Sequence, residues 1–108
     1  MEPEELGKRL TELRKALSRD SVEDWTQPRI GKEVGLSQNA IHRLERGNGS
    51  IANLSLLLDF YHKKGYNLQW VMALDNSDLR MYRGEKMADK ELKQALENLN
   101  KIINNKYS

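Results

Sequence analysis

Two short helices with a stop between them are written into residues 26–47, and this spacing constrains the chain more than any other feature. Thr26 is a helix N-cap residue type, and Pro28 just behind it suits a first turn, where a missing N–H costs little. Ile30 and Val34 then supply one apolar side at a spacing of four. Gly35 stops that helix, because a glycine accepts the left-handed conformation that side chains resist. Ser37 caps the next helix, which closes at Gly47. Its apolar side is Ile41 and Leu44, and its polar side carries Gln38, Asn39, His42 and Arg43. Gln, Asn and Arg are the side chains best shaped to bridge two atoms of a base edge in the DNA major groove.

Apolar periodicity organises the remainder. Leu6, Leu10, Leu13 and Leu17 recur at spacings of four, three and four, which predicts an amphipathic helix over residues 3–18. Residues 18–25 lack such a period and read as a loop, acidic through Asp20, Glu23 and Asp24. Ser50 caps a fourth helix with Leu54, Leu57, Leu58 and Tyr61 as its core stripe, ending near Gly65. A short fifth helix from about Asn67 to Leu74 is expected to bury Leu68, Val71 and Leu74, with Trp70 partly covered. Residues 75–88 show no period, and Leu79, Met81 and Tyr82 fit either an extended arm or a packed irregular linker. Leu92, Leu96, Leu99 and Ile103 return to a four-three-four spacing, widened by Ala95 and Ile102. About two heptads do not sustain an isolated helix in water, so this last stripe needs a partner surface. The expected organisation is a domain over residues 1–74, a linker or arm over 75–88 and a C-terminal helix over 89–108.

The 108 residues suit one small domain with an accessory segment. Net charge is only +2, but it is unevenly placed. Residues 1–24 hold seven acids and five bases, residues 25–65 three acids and six bases, and residues 66–108 six acids and seven bases. The positive excess thus lies with the paired short helices. Cysteine is absent, which removes disulfides, thiol catalysis and thiolate metal sites. No stretch is apolar enough to span a membrane, and the acidic start is unlike a signal peptide, so a cytoplasmic location is expected. His42 and His62 are the only histidines, and neither belongs to a nucleophile, metal or carboxylate arrangement. Neither catalysis nor a cofactor is expected.

Residues 6–74 resemble the phage repressor and Cro (XRE-type) family of helix-turn-helix regulators. That resemblance implies an all-α fold, a five-helix lambda-repressor-like DNA-binding domain, here with an additional C-terminal helix. It implies base contacts from Gln38, Asn39, His42 and Arg43, with His42 facing a base, a phosphate or only water. It also implies phosphate contacts from Gln27, which starts the second helix, and from Ser37. Arg46, Asn48, Ser50 and Asn53 surround the start of the fourth helix and are further phosphate candidates, or simply caps and loop residues. Glu45 is expected to pair structurally with Arg14. Gly31 stands where the family commonly has Ala, and Pro28 and the longer acidic loop before Trp25 also depart from its pattern. If the docking is as in the family, that loop should point away from DNA.

The family precedent and the small footprint of one such motif favour two copies on a palindrome. Leu56, Phe60, Leu92, Leu96, Leu99 and Ile103 are the candidate dimer or partner surface. The last helix instead extends the core if it folds back on the domain. The expected function is a sequence-specific, double-stranded DNA-binding regulator acting as a homodimeric repressor. The alternative is an antitoxin-like or adaptor protein whose C-terminal helix binds a protein partner.

Overall fold

A computed structural model describes residues 1–83 and 96–102. The fold is all-α. Five helices follow in order: α1 (Pro3–Asp20), α2 (Gln27–Val34), α3 (Gln38–Glu45), α4 (Ile51–Lys63) and α5 (Leu68–Met72). A further helical stretch, α6, covers residues 96–102. Among the described residues there is no strand beyond one isolated antiparallel bridge, Tyr66 with Tyr82. No helix among them is long and apolar enough to cross a membrane.

Local chemistry accounts for most boundaries. Thr26, Ser37 and Ser50 each accept the backbone N–H three residues on, from Arg29 (3.3 Å), Ala40 (3.1 Å) and Asn53 (3.1 Å). Each thereby satisfies a donor that a helix start leaves orphaned. Gly35 closes α2 at φ +80°, which lets the Leu36 N–H reach the Gly31 carbonyl at 2.8 Å and turn the chain toward α3. A Cβ on Gly31 would sit 2.4 Å from the Leu36 carbonyl oxygen. The pressure for a small residue there therefore comes from the turn backbone.

The core joins Leu10, Leu13, Ala16 and Leu17 of α1 with Ile30, Ile41, Leu44, Leu57, Tyr61, Tyr66 and Val71. Leu6, Val34, Leu54 and Leu58 pack against it only partly buried, so Val34 is less enclosed than its spacing suggested.

Three expectations are corrected. Helix α1 continues to Asp20, two residues beyond the expected end. Trp25, placed in a loop by its sequence surroundings, is 6% exposed and belongs to the core. Ser18 holds it there by accepting the Trp25 N–H at 2.8 Å, and its ring meets Phe60 at 5.5 Å between centroids. Helix α5 is shorter than expected, and Leu74 is 81% exposed instead of buried. The cause is Arg9, only 4% exposed, whose Nη1 donates to the carbonyls of Val71 (2.9 Å) and Ala73 (2.6 Å). The guanidinium takes over carbonyls at the end of α5, Ala73 turns extended, and Leu74 leaves the helical face.

Of the two alternatives for the segment after α5, residues 75–83 pack on the domain. Asn67 N–H donates to the Met81 carbonyl at 2.7 Å, and Arg83 N–H to that of Gly65 at 2.8 Å. The Tyr82 ring lies 4.9 Å from that of Tyr66, and its hydroxyl bonds the Asp20 carboxylate. Burial raises the pKa of both phenols above the usual tyrosine value. The packed unit thus runs beyond residue 74 to Arg83.

Candidate nucleic-acid interface

Helix α3 is held from behind by one carboxylate. Glu45 Oε1 accepts from Thr11 Oγ1 (3.2 Å), Arg14 Nη2 (3.0 Å) and Gln27 Nε2 (3.0 Å), and Oε2 accepts from Arg14 Nε (2.8 Å). Its side chain is 4% exposed against 20% for Arg14. This node ties the last turn of α3 to the middle of α1 and the first residue of α2. The hydrogen bond to Glu45 raises the pKa of Arg14 above its already high ordinary value, so the guanidinium stays charged. Gly7 allows the close approach of α1, since a Cβ there would lie 2.5 Å from the Glu45 carbonyl oxygen.

The opposite side of α3 is polar and unengaged. Ile41 and Leu44 are buried, whereas Gln38, Asn39, His42 and Arg43 are exposed. Among the described residues none of these four side chains makes a hydrogen bond or ion pair, and neither does that of Arg46. The only acid of α3 is Glu45, turned inward onto Arg14. The exposed face is therefore neutral to cationic, with donors and acceptors free to meet an outside molecule.

Two helix starts lie near the C-terminal end of α3. Gln27 brings the start of α2 against Glu45, and α4 begins after the short link of residues 46–50. Helix starts carry partial positive charge and orphan N–H groups, which suits them to anions.

The six residues expected near phosphate fall into different situations. Gln27 has committed one of its two amide hydrogens to Glu45, leaving the other and its backbone N–H for an external acceptor. Ser37 and Ser50 use their hydroxyl oxygens as helix caps, which leaves each O–H hydrogen to donate. Arg46 and Asn48 are exposed, while Asn53 is half-buried.

The residues expected to dimerise lie on α4 and α6 where they are described. Leu56 and Phe60 line a groove of about 440 Å³ between α2 and α4, together with Glu33, Val34, Asp59 and Lys64. Leu96 and Leu99 sit on α6 and are 53% and 51% exposed, as is Ile102 to a similar degree. Leu92 and Ile103 lie outside the described residues.

The acidic loop is partly neutralised. Arg29 pairs with Glu23 and places its guanidinium 3.9 Å from the centre of the Trp25 ring, a cation–π contact. Sequence reasoning missed Arg9, Trp25 and the Tyr66–Tyr82–Asp20 cluster. For Arg9 a signal existed: it stands three residues after Leu6 and four before Leu13, within the apolar face itself.

The chain matches no protein-family model, no curated protein and no solved structure. What the fold defines is an all-α protein whose helix α3, anchored from behind through Glu45, presents an unpaired polar face.

Proposed function

We propose that this chain is a sequence-specific double-stranded DNA-binding regulator of the phage repressor and Cro type, acting in the cytoplasm as a homodimeric repressor. It works by binding, without catalysis or cofactor. The observation that carries the reading is the outward face of α3, where Gln38, Asn39, His42 and Arg43 are exposed and unengaged while the helix's one acid is turned inward. Laid in a major groove, such a face pairs Gln38 or Asn39 with adenine N6 and N7, and Arg43 with guanine O6 and N7. Each good pairing contributes roughly 1–3 kcal/mol of discrimination. Arg46, Asn48 and the starts of α2 and α4 then meet the phosphates, which fix register without reading sequence. A second copy doubles the site, with half-sites about one helical turn apart.

A second reading has its own support. Leu96, Leu99 and Ile102 on α6 are exposed to about half or more, an apolar face suited to a protein partner as well as to a second copy. In that case the chain is an antitoxin-like or adaptor protein.

Incubating the full chain with sheared genomic DNA at near-physiological salt and sequencing the retained fragments tests the first reading. Enrichment of a short inverted repeat supports it. Flat, salt-sensitive retention indicates backbone attraction alone and favours the second.

A further inference from the structure

The link between α3 and α4 contains the dipeptide Asn48–Gly49, whose two reactive groups are both uncommitted. Asn48 is exposed, its side-chain amide makes no hydrogen bond, and the Gly49 N–H donates none among the described residues. The flanks are held: the Asn48 N–H donates to the Arg43 carbonyl at 2.8 Å, and Ser50 caps α4. Gly49 adopts φ +124° and has no Cβ to obstruct an approach to its nitrogen.

Other asparagines of the domain lack this freedom. The N–H that follows Asn39 is taken by Ser37 Oγ, and the one that follows Asn53 by the Ser50 carbonyl. Asn67 donates to the Arg80 carbonyl while accepting from the Gln69 N–H. Asn76 donates to the Trp70 carbonyl, and the next N–H goes to Asp75.

We propose that Asn48–Gly49 is a site of spontaneous cyclisation and deamidation. The Gly49 nitrogen gives its proton to solvent base and attacks Cγ of Asn48, forming a new C–N bond. The Cγ–Nδ2 bond breaks and the amide group, reprotonated, leaves as ammonia, closing a five-membered succinimide. Water then adds to one of the two ring carbonyls and opens the ring to aspartate or isoaspartate at position 48. Water is the only co-reactant, and nothing is oxidised or reduced. The product exchanges a neutral amide for a carboxylate in the link beside Arg46, and the isoaspartate form inserts a methylene into the backbone between two anchored points. The consequence for binding rests on the DNA reading above: a carboxylate opposed to phosphate weakens retention on all sequences alike.

The test is to hold the purified full chain for days in mildly alkaline buffer and map modification by peptide mass spectrometry and by labelling with isoaspartyl methyltransferase. The peptide containing residue 48 is expected to gain the mass of OH in place of NH2 and to split into two isomers, one of which accepts methyl. Asn48→Gln, whose cyclisation needs a six-membered ring, slows the reaction at least several-fold. An unmodified residue 48 in the folded chain, when the same chain in denaturant reacts there, overturns the proposal. So does equally fast reaction at Asn39 or Asn53. Aged and fresh protein are then compared on the same DNA, with several-fold weaker retention expected for the aged form. Equal retention overturns the binding consequence. Failure of fresh protein to retain any DNA removes the DNA reading and leaves the chemistry at Asn48 standing.

Discussion

Replacing Glu45 with alanine tests the node that positions α3. The carboxylate accepts two bonds from Arg14 and one each from Thr11 and Gln27, and its side chain is 4% exposed. Thr11 loses little, because the single hydrogen of its hydroxyl has an alternative acceptor in the Gly7 carbonyl at 3.0 Å. Gln27 is half-buried and can turn its amide to water. Arg14 bears the loss: its guanidinium keeps its charge with no carboxylate beside it. Breaking a buried pair by removing one partner costs roughly 3–5 kcal/mol. The 20% exposure of Arg14 admits some water and places the expected cost near the lower end, about 3 kcal/mol. Against a typical total of about 5–15 kcal/mol, that is a large fraction. Removing both charges is far milder, so Arg14→Met with Glu45→Leu is expected to stay within about 2 kcal/mol of the parent. Urea unfolding followed by helical circular dichroism reads Glu45→Ala, the double variant and its two component singles, with the slope unchanged and the midpoint lowered. A loss below about 1 kcal/mol for Glu45→Ala, as for an exposed ion pair, refutes the node. So does a double variant as unstable as the sum of the singles.

Other outcomes follow from the same geometry. Tyr61 is fully buried, and its hydroxyl finds no partner among the described residues, so Tyr61→Phe is expected to change stability by less than about 1 kcal/mol or to raise it. Burial raises the pKa of Tyr61 and Tyr66, so both stay neutral in the folded chain when unfolded tyrosines ionise near pH about 10. Their contribution is complete below that value and is lost as pH climbs past it; a urea midpoint that holds steady into strong alkali contradicts this. Gly7→Ala gains helix propensity of about 1 kcal/mol, yet its Cβ would lie 2.5 Å from the Glu45 carbonyl oxygen and 2.7 Å from the Gly47 nitrogen. A net loss of roughly 1–3 kcal/mol is expected in thermal unfolding, and a stabilised variant would show that α1 and α3 are not so close. On selected DNA, Arg43→Ala should relax preference at one position per half-site by roughly 1–3 kcal/mol, whereas Arg46→Ala should weaken all sequences alike and lower the salt slope by about 1. Identical profiles for the two variants remove that division of roles.

What could be read from the sequence was set by neighbours in the chain. The caps Thr26, Ser37 and Ser50 act on an N–H three residues away, and Gly35 acts on its own φ, so α2, α3 and the start of α4 were legible from residue types alone. Apolar spacing likewise marked the buried sides of α1 and α4, and the side of α3 that faces solvent. What escaped depended on partners far along the chain. Arg9 finds the end of α5 more than sixty residues on, and that contact decided where α5 stops and why Leu74 is exposed. Trp25 entered the core because Phe60 of α4 offers it a surface. Tyr82 reached back to Asp20 and Tyr66 and drew residues 75–83 onto the domain. The candidate site divides in the same way: the free side chains of α3 were visible in its sequence, whereas Gln27's commitment to Glu45 needed α1, α2 and α3 to be assembled. Helix caps and periodicity are satisfied within a turn or two of backbone, so sequence alone determines them. A buried guanidinium, an aromatic seat or a shared carboxylate is satisfied only by groups that folding brings together, and the tertiary structure alone decides those.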